Sequence, residues 1–338
     1  MRTKPLLLPG ALAVALTLSF SLAGCGSSAD DSPGGSKAEG PWSYESASGE
    51  TVEVDHTPER IIAHSDEAAT LLSYGIKPVG IYGNEDPKDN KNLAGYDLSG
   101  IEVLGTEWGD VDVEKAAALN PDLIVADWWP AEKAYSGLEE GVKAKSKKLA
   151  ELAPVIGGAQ GTSLVDTIAY YEGLAESLGG DVEDTDGAED KAAFDAAVKK
   201  FDAAAAAKPG LTAMAMAPSK DLLYVANPTY APELLDFQKW GLDVLTPSAP
   251  DPSFPYWENL SWEKADKYQP DLVLLDDRMA EADIAALDKQ PTWKTIKAVE
   301  AGAVVSWPAY WIHTYKAYAE QLDQLAAEIE NARTDIGS

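Results

Sequence analysis

The sequence predicts an α/β protein of two similar lobes, each with a mainly parallel sheet, joined by a single long helix. Three observations carry this. Short apolar runs such as "ERIIAHS", "IKPVGIYG" and "PDLIVAD" alternate with helical patterns, which is how strands buried on both faces read. One segment is written twice. "VEKAAALNPDLIVAD" from Val113 and "WEKADKYQPDLVLLD" from Trp262 share Glu, Lys, Ala, Pro, Asp, Leu and the final Asp without a gap, 149 positions apart. Between the copies lies "TSLVDTIAYYEGLAESLGG", whose apolar residues recur at helical spacing. The length of 338 residues suggests about two domains at roughly 150 residues each.

In chain order, "ERIIAHS" (Glu59–Ser65) is a strand, and "DEAATLLSYG" (Asp66–Gly75) a helix stopped by glycine. "IKPVGIYG" is the next strand. "VEKAAALN" is a short helix and "PDLIVAD" (Pro121–Asp127) a buried strand. Residues 136–153 are expected to be helical, followed by a strand at "PVIGG". The middle helix, residues 162–180, has Ser163 and Asp166 placed as a capping box and Gly179–Gly180 as its stop. At 1.5 Å per residue it is about 25 Å long. "DVEDTDGAED" is expected as a polar loop before a further Ala-rich helix.

The pattern then restarts. "LTAMAMAP" and "DLLYVA" are strands, and "APELLDFQKWGLDVL" is helix, glycine, strand, parallel to "DEAATLLSYGIKPVGI". The second copy of the repeat follows, then a helix and strand in "TWKTIKAVEAGAVVSW" and a C-terminal helix. Each half thus makes a Rossmann-like lobe. The lobes are residues 42–161 and 181–338, with residues 162–180 as the bridge.

The first segment reads as a targeting signal rather than structure. Arg2 and Lys4 precede an apolar stretch from Leu6 to Leu22 that ends in "LAGC". Residues 1–24 are the expected signal peptide. Cys25, the single cysteine, is the expected lipidation point, and residues 25–41 form a Gly/Ser-rich tether. Removing residues 1–24 takes the formal charge from −29 to −31. So acidic a chain is a poor partner for nucleic acid.

In parallel α/β sheets ligands bind beyond the carboxyl ends of the strands. There the sequence places Ser65, Tyr82, Trp108, Trp128 and Trp129 in the first half. In the second half it places Tyr224, Tyr230, Arg278, Trp307, Tyr310 and Trp311. Five of the ten tryptophans fall on this edge, which suits an aromatic cleft for a large, partly apolar ligand.

The "LAGC" box, "TPERIIAHS", the paired "EKA…PDL" segments, the long middle helix and "WKTIKAVEAGAVV" together resemble the solute-binding lipoproteins of ABC importers for ferric siderophores, haem and cobalamin. The resemblance spans about Val52 to Glu330. It implies two lobes bridged by one helix with small motions on binding. It implies a protein held on the outer face of the cell membrane by lipidated Cys25, working with a permease and its ATPase; with no disulfide and an Ala-rich helical scaffold, the chain is expected to be a monomer. It also gives the repeat a purpose: Glu114 and Glu263 match the surface glutamates with which each lobe docks into arginine pockets of the permease. Trp108 and Trp311 match ligand positions, while Asp127 rather than Trp128 occupies the usual cleft position.

The residues weigh against some ligands. The three histidines, His56, His64 and His313, do not suit a three-His metal site, since His56 precedes the first strand. Haem needs an axial His or Tyr, for which His64, Tyr82 and His313 are candidates. Ferric triscatecholates carry about three negative charges, and after residue 24 the chain has only Arg60, Arg278 and Arg333. A neutral or cationic ferric hydroxamate of the ferrioxamine type is favoured. The iron is held by the siderophore, with no cofactor of the protein's own. An enzyme would use Asp276 and Asp277 as paired carboxylates. However, adjacent residues leaving a strand diverge, and the chain has neither a Gly-rich nucleotide loop nor a Gly-x-Ser-x-Gly elbow.

Overall fold

The computed structural model describes residues 40–276, 278, 284, 287, 289–309 and 313–338. The chain opens with an antiparallel hairpin, β1 (Trp42–Glu45) and β2 (Thr51–Val54). The first lobe follows with β3 (Ile61–His64), α1 (Ser65–Ser73), β4 (Gly80–Tyr82), β5 (Glu102–Gly105), α2 (Val113–Ala118) and β6 (Leu123–Val125). A small hairpin, β7 (Trp128–Trp129) and β8 (Ala134–Tyr135), precedes β9 (Val155–Ile156). Strands β5, β4, β3, β6 and β9 lie side by side in that order, all parallel. Every residue of β3, β4 and β6 is buried, which explains their unbroken apolar sequence.

Next come three helices, α3 (Leu164–Ser177), α4 (Val182–Asp186) and α5 (Ala188–Ala206). The Ser163 hydroxyl accepts the Asp166 N–H at the start of α3. Helix α3 enters one core and leaves through the other. Leu164 and Ile168 pack with Phe194, Phe201 and Leu234. One turn on, Tyr171 and Leu174 pack with Trp42, Ile61 and Leu71. The β1–β2 hairpin closes over this second half: the Trp42 indole donates to Ser177 Oγ (3.1 Å) and the Tyr44 hydroxyl to the Tyr170 carbonyl (2.9 Å).

The second lobe contains β10 (Thr212–Pro218), β11 (Leu222–Ala226), α6 (Pro232–Lys239), β12 (Asp243–Val244), β13 (Trp257–Ser261), β14 (Leu272–Asp276) and β15 (Val304–Trp307). Its sheet runs β13-β11-β10-β14-β15, with β12 beside β10. Strands β10, β12, β14 and β15 are parallel, while β11 and β13 turn antiparallel at one edge. The C-terminal helix (Tyr315–Asn331) packs on α5.

The written repeat is a repeated structure. Ala116 and Ala265 are buried at the same place in their copies. Asp122 accepts the backbone N–H groups of Glu59 and Arg60, at 2.9 and 2.8 Å, just before β3. Its counterpart Asp271 accepts the N–H and hydroxyl of Thr212, at 3.1 and 3.0 Å, at the start of β10. Each carboxylate ties its own strand to the neighbouring central strand.

Two expected elements differ. Residues 136–153 do not form an α-helix; they are turns ending in a 3-10 helix, Ser146–Glu151. Gly137 and Gly141 sit at φ of +74° and +102°, which no continuous right-handed helix contains. Residues 181–190 are not a loop. Asp181 accepts the Asp184 N–H and starts α4, and α5 begins at Ala188. Local capping by an aspartate outweighs the polar composition there.

Candidate ligand-binding cleft

The strand ends of the two lobes face each other across a cavity of about 70 Å³. Trp129 and Gln160 line it from the first lobe. Tyr230, Glu233, Tyr256, Trp257, Arg278 and Trp307 line it from the second.

On the first-lobe side, β3 runs directly into α1 through His64. Glu67 is fully buried there. One of its carboxylate oxygens faces His64 Nδ1 at 3.1 Å, and the other accepts the Asp127 N–H at 3.2 Å. Burial opposes both charges, but the hydrogen bond and mutual attraction win. They hold the imidazole above its ordinary range and the Glu67 carboxyl below its own. Next to this ion pair, burial and the Glu67 charge push Asp127 far above the carboxylate range. Asp127 is bound by the Tyr171 hydroxyl (2.5 Å) and the Gln160 amide (2.9 Å).

Aromatic rings continue this wall outward. His64 meets Tyr82 and Trp108 edge-on, with centroids at 5.4 and 5.7 Å, and Trp108 meets Trp129 at 6.1 Å. The Trp129 indole donates to Ser136 Oγ (2.8 Å), which fixes its orientation. Its ring then crosses to the second lobe, stacking on Phe254 (5.8 Å) and meeting Tyr256 at 4.5 Å.

On the second-lobe side, Trp307 ends β15 and donates its indole N–H to Glu233 Oε1 at 3.1 Å. Trp257 lies between Trp307 and Tyr224, at 6.3 Å from each. Arg278 follows β14 and is clamped to buried Asp276, with Nε at 3.0 Å from Oδ1 and Nη2 at 2.5 Å from Oδ2. The guanidinium charge is therefore balanced within the protein. Glu233 is 1% exposed, and burial pushes its carboxyl up to about 8 despite the charge of Arg278.

The structure thus brings Trp129, Tyr230, Arg278 and Trp307 together, while Trp108 is exposed and touches Trp129 without lining the cavity itself. It does not bring four other expected residues to the cavity. Trp128 turns away onto Tyr135, because successive residues of a strand face opposite sides. Tyr82 is sealed beneath His64, its hydroxyl spent on the Ser136 carbonyl. Ser65 is buried against Gly83, where a Cβ would come within 2.5 Å of its hydroxyl. Tyr224 stands behind Trp257. Tyr310, Trp311, Cys25 and Asp277 lie outside the described residues. Glu114 and Glu263 are both exposed, each in the first turn of its short helix.

Of the lining residues unread in the sequence, four carry polar or aromatic side chains: Gln160, Glu233, Tyr256 and Trp257. The aromatic cluster in "SFPYWE" was a signal for the last two. Glu233 stands in "APELLDFQKWG" where Glu67 stands in "SDEAATLLSYG", so the parallel segments already pointed to it. Among the described residues no group of three or more His, Cys, Asp or Glu is placed to hold a metal ion.

Residues 85–311 match the family model described as periplasmic binding protein. The chain is 34% identical to DesE, a ferric-siderophore receptor protein from Streptomyces coelicolor. That match covers 87% of this chain and 99% of the other, with a TM-score of 0.78. The fold is also that of SirA from Staphylococcus aureus, crystallised with staphyloferrin B, at 21% identity over 87% of this chain and 99% of that one, with a TM-score of 0.58. A curated relative, the putative ABC transporter substrate-binding lipoprotein YhfQ of Bacillus subtilis, is 32% identical over 94 residues. These make up 27% of this chain and 28% of that protein. The family and these neighbours are solute-binding proteins rather than enzymes.

Proposed function

Because the chain belongs to the periplasmic binding protein family, we propose that it captures a ferric siderophore between its lobes and delivers it to an ABC permease for iron uptake. The favoured ligand is a neutral or cationic ferric hydroxamate of the ferrioxamine type. The observation that carries this choice is the Asp276–Arg278 clamp. Arg278 is the arginine that lines the cavity, and its charge is already matched. A triscatecholate complex of about three negative charges would meet aromatic walls and carboxyl groups there, and its desolvation would go uncompensated. The methylene chains of a hydroxamate instead suit the faces of Trp129, Trp257 and Trp307.

Haem is less well served. His64, Tyr82 and His313 are all buried, and none lines the cavity. The likeness to DesE supports a ferric-siderophore ligand as a class. The cavity has room for a small group rather than a whole chelate, so loading parts the lobes at the Trp129–Phe254 and Trp129–Tyr256 contacts. Lipidated Cys25 anchors the protein outside the cell, and Glu114 and Glu263 dock the lobes on the permease.

The test is a tryptophan-fluorescence titration with ferrioxamine, a ferric triscatecholate, haemin and zinc. Saturable sub-micromolar quenching by ferrioxamine, with little from the catecholate, is the expected result. Quenching by haemin alone, with a shifted haem absorption band, would replace this reading with haem capture.

A further inference from the structure

Two oxygens on residues that line the cavity have no hydrogen-bond partner among the described residues. One is Glu233 Oε2; the other is Gln160 Oε1. Both residues are 1% exposed, so water does not serve them from outside. Their remaining polar atoms are fixed: Glu233 Oε1 takes the Trp307 N–H, and Gln160 Nε2 is given to Asp127. Buried polar oxygens of this kind call for partners. Arg278 makes no hydrogen bond to either oxygen; its Nε and Nη2 are held on Asp276. The same cavity presents the rings of Tyr230, Tyr256, Trp257 and Trp307. A carboxylate among aromatic faces is the setting that binds alkylammonium groups. An ammonium carries three donors and no acceptor, so it suits such oxygens once the Glu233 carboxyl is ionised.

We propose that Glu233, Gln160 and the surrounding rings form a cage for the primary ammonium end of the ligand, making a ferric hydroxamate with one free amine the preferred substrate. This rests on the hydroxamate reading above and adds a determinant of selectivity within it. The contrast with Glu67 agrees, since that glutamate already has an imidazole and an amide N–H on its oxygens. The groups facing Glu233 are Trp307, Arg278 and Asp236. Of these, the cation is already neutralised by Asp276.

The experiment compares two ferrioxamines that differ only in whether the terminal amine is free or N-acetylated. Each is titrated into the wild-type chain and into Glu233→Gln, which keeps an acceptor for the Trp307 N–H. The free-amine complex should bind the wild type at least tenfold more tightly. The substitution should erase that preference by weakening the free-amine complex at least tenfold more than the acetylated one, and a cooperative thermal melt shows that the variant is folded. Equal binding of both complexes by the wild type would overturn the cage and leave hydroxamate capture standing. An equal loss of both in Glu233→Gln would overturn it too, showing that the carboxyl serves the body of the chelate. Binding of neither complex by the wild type would overturn the hydroxamate reading itself.

Discussion

Glu67 and Glu233 occupy corresponding places at the start of corresponding helices, yet their surroundings are opposite. Glu67 is closed into an ion pair with His64 (3.1 Å), while one oxygen of Glu233, which lines the cavity, has no partner among the described residues. The two lobes repeat a scaffold without repeating its chemistry. The first glutamate is a structural charge, and the second is left for what enters the cleft.

Substitutions at the two positions should therefore differ in sign. Glu67→Gln breaks a buried pair and should cost about 3 kcal/mol at pH 7. Glu233 has a folded-state pKa raised to about 8. Its contribution to stability is complete below the unfolded carboxylate range and falls by about 1.4 kcal/mol per pH unit as pH rises towards 8. Glu233→Gln removes that slope. Denaturant unfolding at pH 5, 7 and 8 should show this variant gaining steadily on the wild type. A constant difference across the series would refute the assignment.

The paired aspartates of the repeat should be unequal in weight. Asp122 accepts two backbone N–H groups, those of Glu59 and Arg60. Asp271 accepts from Thr212 and also from the N–H groups of Ile336 and Gly337, at 2.9 and 2.8 Å, which fastens the C-terminus to the sheet. Burial alone would raise Asp271, but these donors hold it below the ordinary range. At about 1.5 kcal/mol or more per charged hydrogen bond, Asp271→Ala should cost clearly more than Asp122→Ala. Thermal melts of the two variants settle the order.

The repeat was legible because similar text recurred without a gap, but the work of its aspartates was not. Nothing local says that the "PDL" aspartate reaches across to the next strand. The alternation of Trp42 and Tyr44 with Val52 and Val54 around Gly49 carried a hairpin signal, although it lies outside the lobes' βα rhythm. Trp128 and Trp129 were equally plausible as text. Only the register of β7 decides that Trp129 faces the cleft and Trp128 faces Tyr135. The burial of Glu233 is a tertiary property that composition cannot reveal.

His313 links the lobes. It follows the second-lobe strand β15 but hydrogen-bonds Thr70 Oγ1 of α1 at 2.7 Å and stacks on Tyr171 at 4.4 Å. Burial depresses its pKa to about 4, opposed in part by Glu67. The folded protein thus holds a neutral imidazole that the unfolded chain would protonate below about 6.5. The resulting stability is complete above that pH and is lost as pH falls towards 4, by up to about 1.4 kcal/mol per unit. A His313→Gln variant should lose this part of the acid sensitivity. The check is the difference in melting temperature between pH 7 and pH 5 for both proteins.

Glu114 and Glu263 are exposed, and neither lines the cavity. Alanine at both positions should move stability by less than about 0.5 kcal/mol and leave ligand affinity unchanged. Iron uptake by cells carrying the double variant should fall to the level of cells lacking the protein. Normal uptake would remove these residues from the docking role.

The amine cage makes binding depend on pH in the same direction as a simple acidic cleft, but with its midpoint moved up into the neutral range. In the empty cleft Glu233 holds a proton up to about pH 8. An ammonium pairs with the carboxylate only after that proton has left. Since the ligand amine stays charged near neutrality, each unit of pH below 8 should weaken binding by up to tenfold, and binding should level off above it. Asp236, which also faces Glu233, raises its pKa, and Arg278 lowers it, so the midpoint reports their balance. The acetylated complex, and either complex with Glu233→Gln, should show a flat profile between pH 6 and 8. Calorimetry in buffers of different ionisation enthalpy supplies the companion test, because capture of the free-amine complex at pH 7 should release close to one proton. Equal slopes for the two complexes would place the titrating group elsewhere.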